Sequence, residues 1–353
     1  MTIEESTFGY TKENQRVSLF KLGNGAGMTV EILNYGGIIK NICVPDRYGK
    51  VEDVVLGHDN ITDYEEKSDY FGCIAGRFAN RINQGRFRIN GTQFQLPQNS
   101  NGNSLHGGIK GFDKQIWKAQ TFHSGDEVGV SLFYLSEDGE EDYPGNMKCW
   151  VTYTLDNSNQ LKIEYRAETD KTTIVNLTNH TYFNLKDGGE TTILNHDLKI
   201  KASCFTPVDA KLIPHGTIDS VNDTPFDFRE FKTIGEHIET GHVQLKNGGG
   251  YDHNFVLDKE DGACELIASV YEPISGRLLD VLTTEPGIQF YSGNFLKGDI
   301  VGKNGVAYKF RSGLCLETQH FPDAPNHDNF PSTILNPGEQ FESATIYKFG
   351  VEP

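Results

Sequence analysis

The chain has 353 residues, 38 of them glycine, and 32 basic against 49 acidic side chains give it a formal net charge of −17. Such a chain is repelled by phosphate backbones and anionic lipid, which excludes nucleic acid and membrane surfaces as partners and leaves a small neutral or cationic molecule. No apolar stretch reaches the length of a membrane span, "MTIEESTFGYTKENQ" has no signal-peptide pattern, and the six scattered cysteines contain no C-x-x-C pair, so reduced thiols in a cytoplasmic protein are expected.

The strand signals outnumber the helix signals. "GNGAG" (23–27) lacks the glycine spacing of a dinucleotide loop and reads as a turn. "AGRFANRI" (75–82) sets Asn80 and Arg81 between Phe78 and Ile82, where an arginine needs a specific partner. "GRFRINGTQFQL" (85–96) is a hairpin: two alternating runs flank Asn90-Gly91, and both turn residues must take positive φ. "NSLHGG" (103–108) follows, with His106 next to two glycines that would let a ligand approach the backbone. Strand alternation returns in 161–169, 196–203, 277–284 and 341–349, and "TIGEHIE" (233–239) reads as a short helix. With no linker, low-complexity tract or fixed repeat, residues 1–353 read as one all-β domain.

Two segments concentrate chemistry. "NLTNHTYFNL" (176–185) places His180 among buried-type leucines and many amides, each of which needs a partner if buried. "CLETQHFPDAPN" (315–326) contains a Glu317-x-x-His320 pair, but Pro322 and Pro325 make it a strand entering a loop, not a metal-binding helix. "GYDHNFVL" (250–257) adds Asp252 at the start of a strand, where a turn or capping duty is the alternative. A carboxylate, two histidines, an arginine, an aspartate and many amides suit proton transfer on a polyhydroxylated neutral molecule.

These blocks, with "GCIAGRFANRI", "NSLHGGIKGFDKQIW", "DGEEDYPGN", "TPVDAKLIPHG", "TPFDFR" and "TTEPGIQFYSGNFL", resemble the aldose 1-epimerase (galactose mutarotase) family, in its order, over roughly residues 20 to 350. The resemblance implies one large antiparallel β-sandwich. It also implies a cofactor-free isomerase, without a metal, that interconverts the α and β anomers of free hexoses such as galactose and glucose. Position by position, Glu317 resembles the family's general base and His180 its general acid, and Asn80, Arg81, His106, Tyr182, Asp252 and Gln289 match sugar-binding positions. Thr181 stands where serine is common and Asp142 where glycine is common.

The residues fit that chemistry on their own terms, since opening a hemiacetal removes a proton from O1 and delivers one to O5. A carboxylate near His180 is expected to keep the imidazole protonated against the effect of burial. The alternatives are a sugar-binding protein without turnover, and a glycosidase with Asp252 as its second carboxyl group. The partner is a monosaccharide, and the chain is expected to act as a monomer or a weak homodimer.

Overall fold

The computed structural model describes residues 1–352. The fold is an all-β antiparallel sandwich. Its largest layer is a nine-stranded sheet in which Lys118–Ser124, Glu127–Ser136, Met147–Asp156 and Gln160–Thr169 form a meander. Gln340–Val351 pairs with the last of these and with Arg277–Thr283, and the sheet continues through Glu265–Tyr271 and Asp197–Ile200 to Lys232–Thr233. A five-stranded sheet of N-terminal strands, Thr2–Tyr10 to Val51–Asp53, packs alongside.

Period-two patterning explains the large sheet. In Met147–Asp156 the side chains of Met147, Cys149, Val151, Tyr153 and Leu155 are fully buried, while Lys148 is exposed and Trp150 and Thr152 half-buried. Each buried aliphatic side chain contributes about 2 kcal/mol. The hairpin forms as expected, with Arg86–Ile89 against Thr92–Gln95 and φ of 49° and 81° at Asn90 and Gly91.

The facing six-stranded sheet runs in the order Tyr182–Phe183, Leu314–Gln319, Gly287–Tyr291, Asp252–Val256, Cys204–Phe205, Asp219–Ser220. Its three central strands are buried on both faces. One face presents Phe255, Ile288, Phe290, Leu314 and Leu316 to the main hydrophobic core. The other carries the alternate residues Asp252, Gln289, Tyr291, Cys315 and Glu317. This division places a polar row on a rigid support.

The expected helix at 233–239 does not form. Thr233 belongs to the last strand of the large sheet, and the chain then turns through three-residue bonds such as Glu236 N–H to Thr233 C=O at 3.0 Å. Gly235 packs against the Leu194 carbonyl. Among the described residues the two α-helices are Ile61–Lys67, capped by the Asn60 side chain, and Val243–Gly248. No helix among the described residues is long and apolar enough to cross a membrane.

Candidate active site

"NLTNHTYFNL" is held by its amides. Asn176, Asn179 and Asn184 are buried, and all three side chains bond to the backbone. Asn176 donates to the carbonyls of Ala79 and His320 and accepts the His320 N–H at 2.9 Å. Asn179 donates to Gly72 C=O at 2.9 Å and accepts from the Thr181 hydroxyl at 2.6 Å. Asn184 donates to the carbonyls of Thr191 and Ser312. The His180 backbone pairs with Cys73 C=O at 2.8 Å and Gly72 N–H at 3.0 Å. The amides fasten the strand, and the imidazole is left free to face the cleft.

A second anchor carries the sugar-facing arm. The short ladder of Arg81–Ile82 with Ser104–Leu105 brings Arg81 and His106 together. Asn80 and His106 sit at positive φ, 65° and 50°, as does Tyr70 at 65°. Such backbone is costly for residues with a side chain and persists only where its surroundings dictate it. Arg77, fully buried on the same segment, donates to Ser136 Oγ and to the carbonyls of Ser136, Glu137, Pro144 and Gly145 at 2.8–3.1 Å. The loop "DGEEDYPGN" therefore serves as the socket for this arginine.

These supports converge on a cleft of about 270 Å³ lined by Asn80, Arg81, His106, His180, Tyr182, Asp252 and Glu317. Its volume lies just below the usual range for ligand pockets, about 300–1,000 Å³. Seven of the eight residues expected at the site are gathered here. Gln289 lies on the same face, directly opposite Glu317 in the neighbouring strand, and donates from Nε2 to Asp252 Oδ1 at 2.6 Å. A larger groove of about 1120 Å³ runs over the outward residues Trp150, Glu164, Arg166 and Glu342 of the big sheet. Convergent buried acid and base groups are found in the smaller cleft, so chemistry outweighs size.

His180 Nε2 lies 3.6 Å from Glu317 Oε1, and Arg81 Nη2 lies 3.8 Å from Asp252 Oδ2. The rings of Tyr70 and His106 are 4.6 Å apart, and those of His106 and His180 meet edge-on at 5.0 Å. Tyr182 donates its hydroxyl to Asp69 C=O at 3.0 Å, turning its ring toward the cleft. Tyr70, Tyr291 and Phe295 complete the aromatic wall. Tyr291 follows Gln289 by two residues in one strand, so alternation alone points it the same way. Tyr70 had no comparable local signal.

Burial dominates the electrostatics. It pushes Glu317 well above its ordinary value, with the Asp252 carboxylate adding to the effect and Arg81 opposing it. Asp252 is raised for the same first reason. His180 is lowered by burial to about 4, and His106 is pushed well below its ordinary value by burial and by His180. The direction is opposite to the expectation of a carboxylate-held imidazolium: burial lowers the ring, Arg81 adds to it, and a backbone hydrogen bond only partly opposes. Burial thus disfavours the charged form of each partner, raising Glu317 and lowering His180.

The nearest approach to a metal centre is His106, His180 and Glu317, whose ligand atoms lie within 4.8 Å of one another. The tautomer of His106 speaks against that use. Its Nδ1 accepts the Asn80 N–H at 3.1 Å, so the ring proton is on Nε2, which then has no lone pair to give a metal. An Nε2–H donor suits a hydroxyl oxygen. His320, as its loop position suggested, turns away from Glu317 and pairs with Glu285 at 2.7 Å.

Comparison with known proteins gives the family. The family model for aldose 1-epimerase matches residues 18–348. The chain is 48% identical over 324 residues to a galactose mutarotase of Mus musculus, covering 92% of each, and 38% identical over 342 residues to an aldose 1-epimerase of Escherichia coli K12, covering 96% of this chain and 97% of that one. A solved galactose 1-epimerase from Lactobacillus acidophilus superposes with a TM-score of 0.88 at 29% identity, covering both chains completely. The protein belongs to the aldose 1-epimerase family.

Proposed function

We propose that this protein interconverts the α and β anomers of free hexoses such as galactose and glucose, with Glu317 as general base and His180 as general acid. The observation that carries the reading is the buried His180–Glu317 pair, 3.6 Å apart at the base of a hexose-sized cleft. Glu317 takes the proton from the O1 hydroxyl while His180 gives one to O5, and the C1–O5 bond breaks to leave the open aldehyde. Rotation about C1–C2 and closure on the other face invert C1, and the two proton transfers run in reverse. Electrons and protons balance within sugar and pair, so no cofactor or covalent intermediate is required.

The working state is the ion pair, Glu317 anionic and His180 cationic. Burial favours the neutral form of the pair, and the two forms differ by one proton shift across the 3.6 Å gap, so no proton has to come from solvent. Arg81, with Asp252 at 3.8 Å, and the Nε2–H of His106 are suited to hold sugar hydroxyls. Asn80 and Tyr182 line the same wall, and Gln289 acts through Asp252. In this reading the chain is a cytoplasmic single-domain enzyme, a monomer or weak homodimer.

Polarimetry on freshly dissolved α-galactose tests the activity: the protein should accelerate the approach to the equilibrium rotation. No acceleration with sugar bound would favour a sugar-binding protein without turnover, and sugar release from an aryl glycoside would favour a glycosidase.

A further inference from the structure

The face of the six-stranded sheet that carries Glu317 continues beyond the cleft as a second polar row that the proton-transfer scheme leaves unused. Asn254, Gln289 and Glu317 lie directly opposite one another on three adjacent strands, and one step further along Gly287 faces Gln319. Cross-strand partners share a face, so these side chains form one patch. All four polar residues are 0–2% exposed. Within the patch both side-chain polar atoms of Asn254, both of Gln319, Oε1 of Gln289 and Oε2 of Glu317 have no hydrogen-bond partner among the described residues.

Gly287 explains how the row is built. A Cβ there would meet Asn254 Oδ1 at 2.6 Å and the Phe321 ring at 3.0 Å. The missing side chain lets the Asn254 amide lean toward the strand of Gln319, and Phe321 covers that end. Two amides on the strands flanking Gly287 that do not bond to each other, with a carboxylate oxygen of the same face in the same condition, read as a polar chamber. A buried polar atom left unpaired costs about 1–3 kcal/mol, and six together would rival the stability of a whole domain. Ordered water with two to four polar partners is the usual resolution.

We propose that Asn254 and Gln319 are positioning residues that hold ordered water against Oε2 of Glu317, so that the carboxylate is solvated from the side away from the sugar. The inference rests on the reading of Glu317 as the base. That reading needs an anion where the surroundings oppose one. Asp252 faces Glu317 with like charge and Arg81 with opposite charge, and His180 stands across from its Oε1. The thiols of Cys73 and Cys315 and the phenols of Tyr182 and Tyr347 are near enough to feel its charge, and His106 lies beyond His180. Arg81 favours the anion, as does the His180 imidazolium of the working pair. Water behind Oε2 is the additional stabiliser.

Two measurements decide the matter. A high-resolution crystal structure of the unliganded protein should show ordered water within hydrogen-bond reach of Glu317 Oε2, Asn254 and Gln319; a dry chamber with the amides bonded to each other overturns the proposal. Asn254→Leu and Gln319→Met remove the amides while keeping shape. Each should lower plateau kcat about tenfold, leave KM within about twofold, and move the alkaline limb of kcat/KM up by about one pH unit. Loss of thermal stability or a raised KM with an unmoved alkaline limb would mark a merely structural role and overturn it as well. Should the variants fail to fold, the wild-type crystal structure decides. A Glu317→Gln variant with wild-type rate would instead remove the reading on which the proposal rests, and so separates the two failures.

Discussion

His180 Nε2 stands 3.6 Å from Glu317 Oε1 while Nδ1 of the same ring contacts Cys315 Sγ, also at 3.6 Å, so one strand, Leu314–Gln319, supports both nitrogens of the proposed acid. Cys315 and Glu317 are two residues apart and share a face. The acid–base distance is thus fixed by strand geometry and by the bonds that fasten residues 176–184, and neither depends on a mobile loop.

Glu317→Gln keeps shape and hydrogen-bonding capacity but cannot accept the O1 proton. Its kcat should fall by about 10² or more with sugar affinity nearly retained. His180→Asn should show a comparable loss. A Glu317→Gln enzyme with near-normal kcat would remove that residue from the mechanism.

The pH profile follows from the burial of the pair. Burial disfavours both charged forms, the doubly protonated cation and the fully deprotonated anion, so the one-proton state should span a wide plateau. The acid limb of kcat/KM is expected near the value of about 4 to which burial lowers His180, and the alkaline limb well above the ordinary carboxylate value because Glu317 is raised. Both apparent values belong to the pair. His180→Asn should abolish the acid limb, because the second proton then has no site. Loss of the alkaline limb instead would show that the histidine holds its proton at rest.

Chelation should leave activity unchanged. The reason is the Asn80 N–H bond to His106 Nδ1, which commits Nε2 to carrying a proton. Activity lost reproducibly in EDTA and restored by one divalent ion would mean that this bond breaks and His106, His180 and Glu317 ligate.

Asp113 supplies a stability test away from the proton-transfer pair. Its carboxyl is 8% exposed, Oδ1 has no partner among the described residues, and burial raises it to about 6, with Lys114 at 3.5 Å opposing. A folded value above the unfolded one gives a contribution fully present below pH 3.8 and lost as pH rises through about 6. Asp113→Asn does not ionise. Its stability relative to wild type should rise between pH 4 and pH 8, by on the order of 2 kcal/mol, in denaturant titrations at the two pH values. A difference independent of pH would mean that Asp113 ionises normally.

The parts legible in sequence are those whose determinants are local. Asn90-Gly91 encodes its hairpin because both residues must take positive φ, and alternation in 161–169 and 341–349 marks two strands of the large sheet. His180 and Glu317 stood out through their neighbours. The misplaced helix at 233–239 had helical spacing, but Thr233 was drawn into a sheet by a strand 36 residues earlier. Arg77, whose acceptors lie 59 to 68 residues away, gave no sign of its role beside Arg81. Gln289 gave no sign of its bond to Asp252, 37 residues away. The polar chamber was invisible for the same reason: it needs three strands in register.

The two-faced strand Leu314–Gln319 bears on how the gene can change. Leu314, Leu316 and Thr318 face the interior while Cys315, Glu317 and Gln319 face the chemistry, so inserting or deleting one codon here exchanges the two sets at a stroke. Leucine would then look into the cleft and glutamate into oil. In a library of single-codon insertions, this strand and its neighbours Gly287–Tyr291 and Asp252–Val256 should be nearly silent among active survivors. The exposed turn at Gly125, where an added side chain would meet nothing within 4 Å, should be well populated. Lineages can therefore lengthen this protein at its rim far more readily than they can shift its centre by one residue.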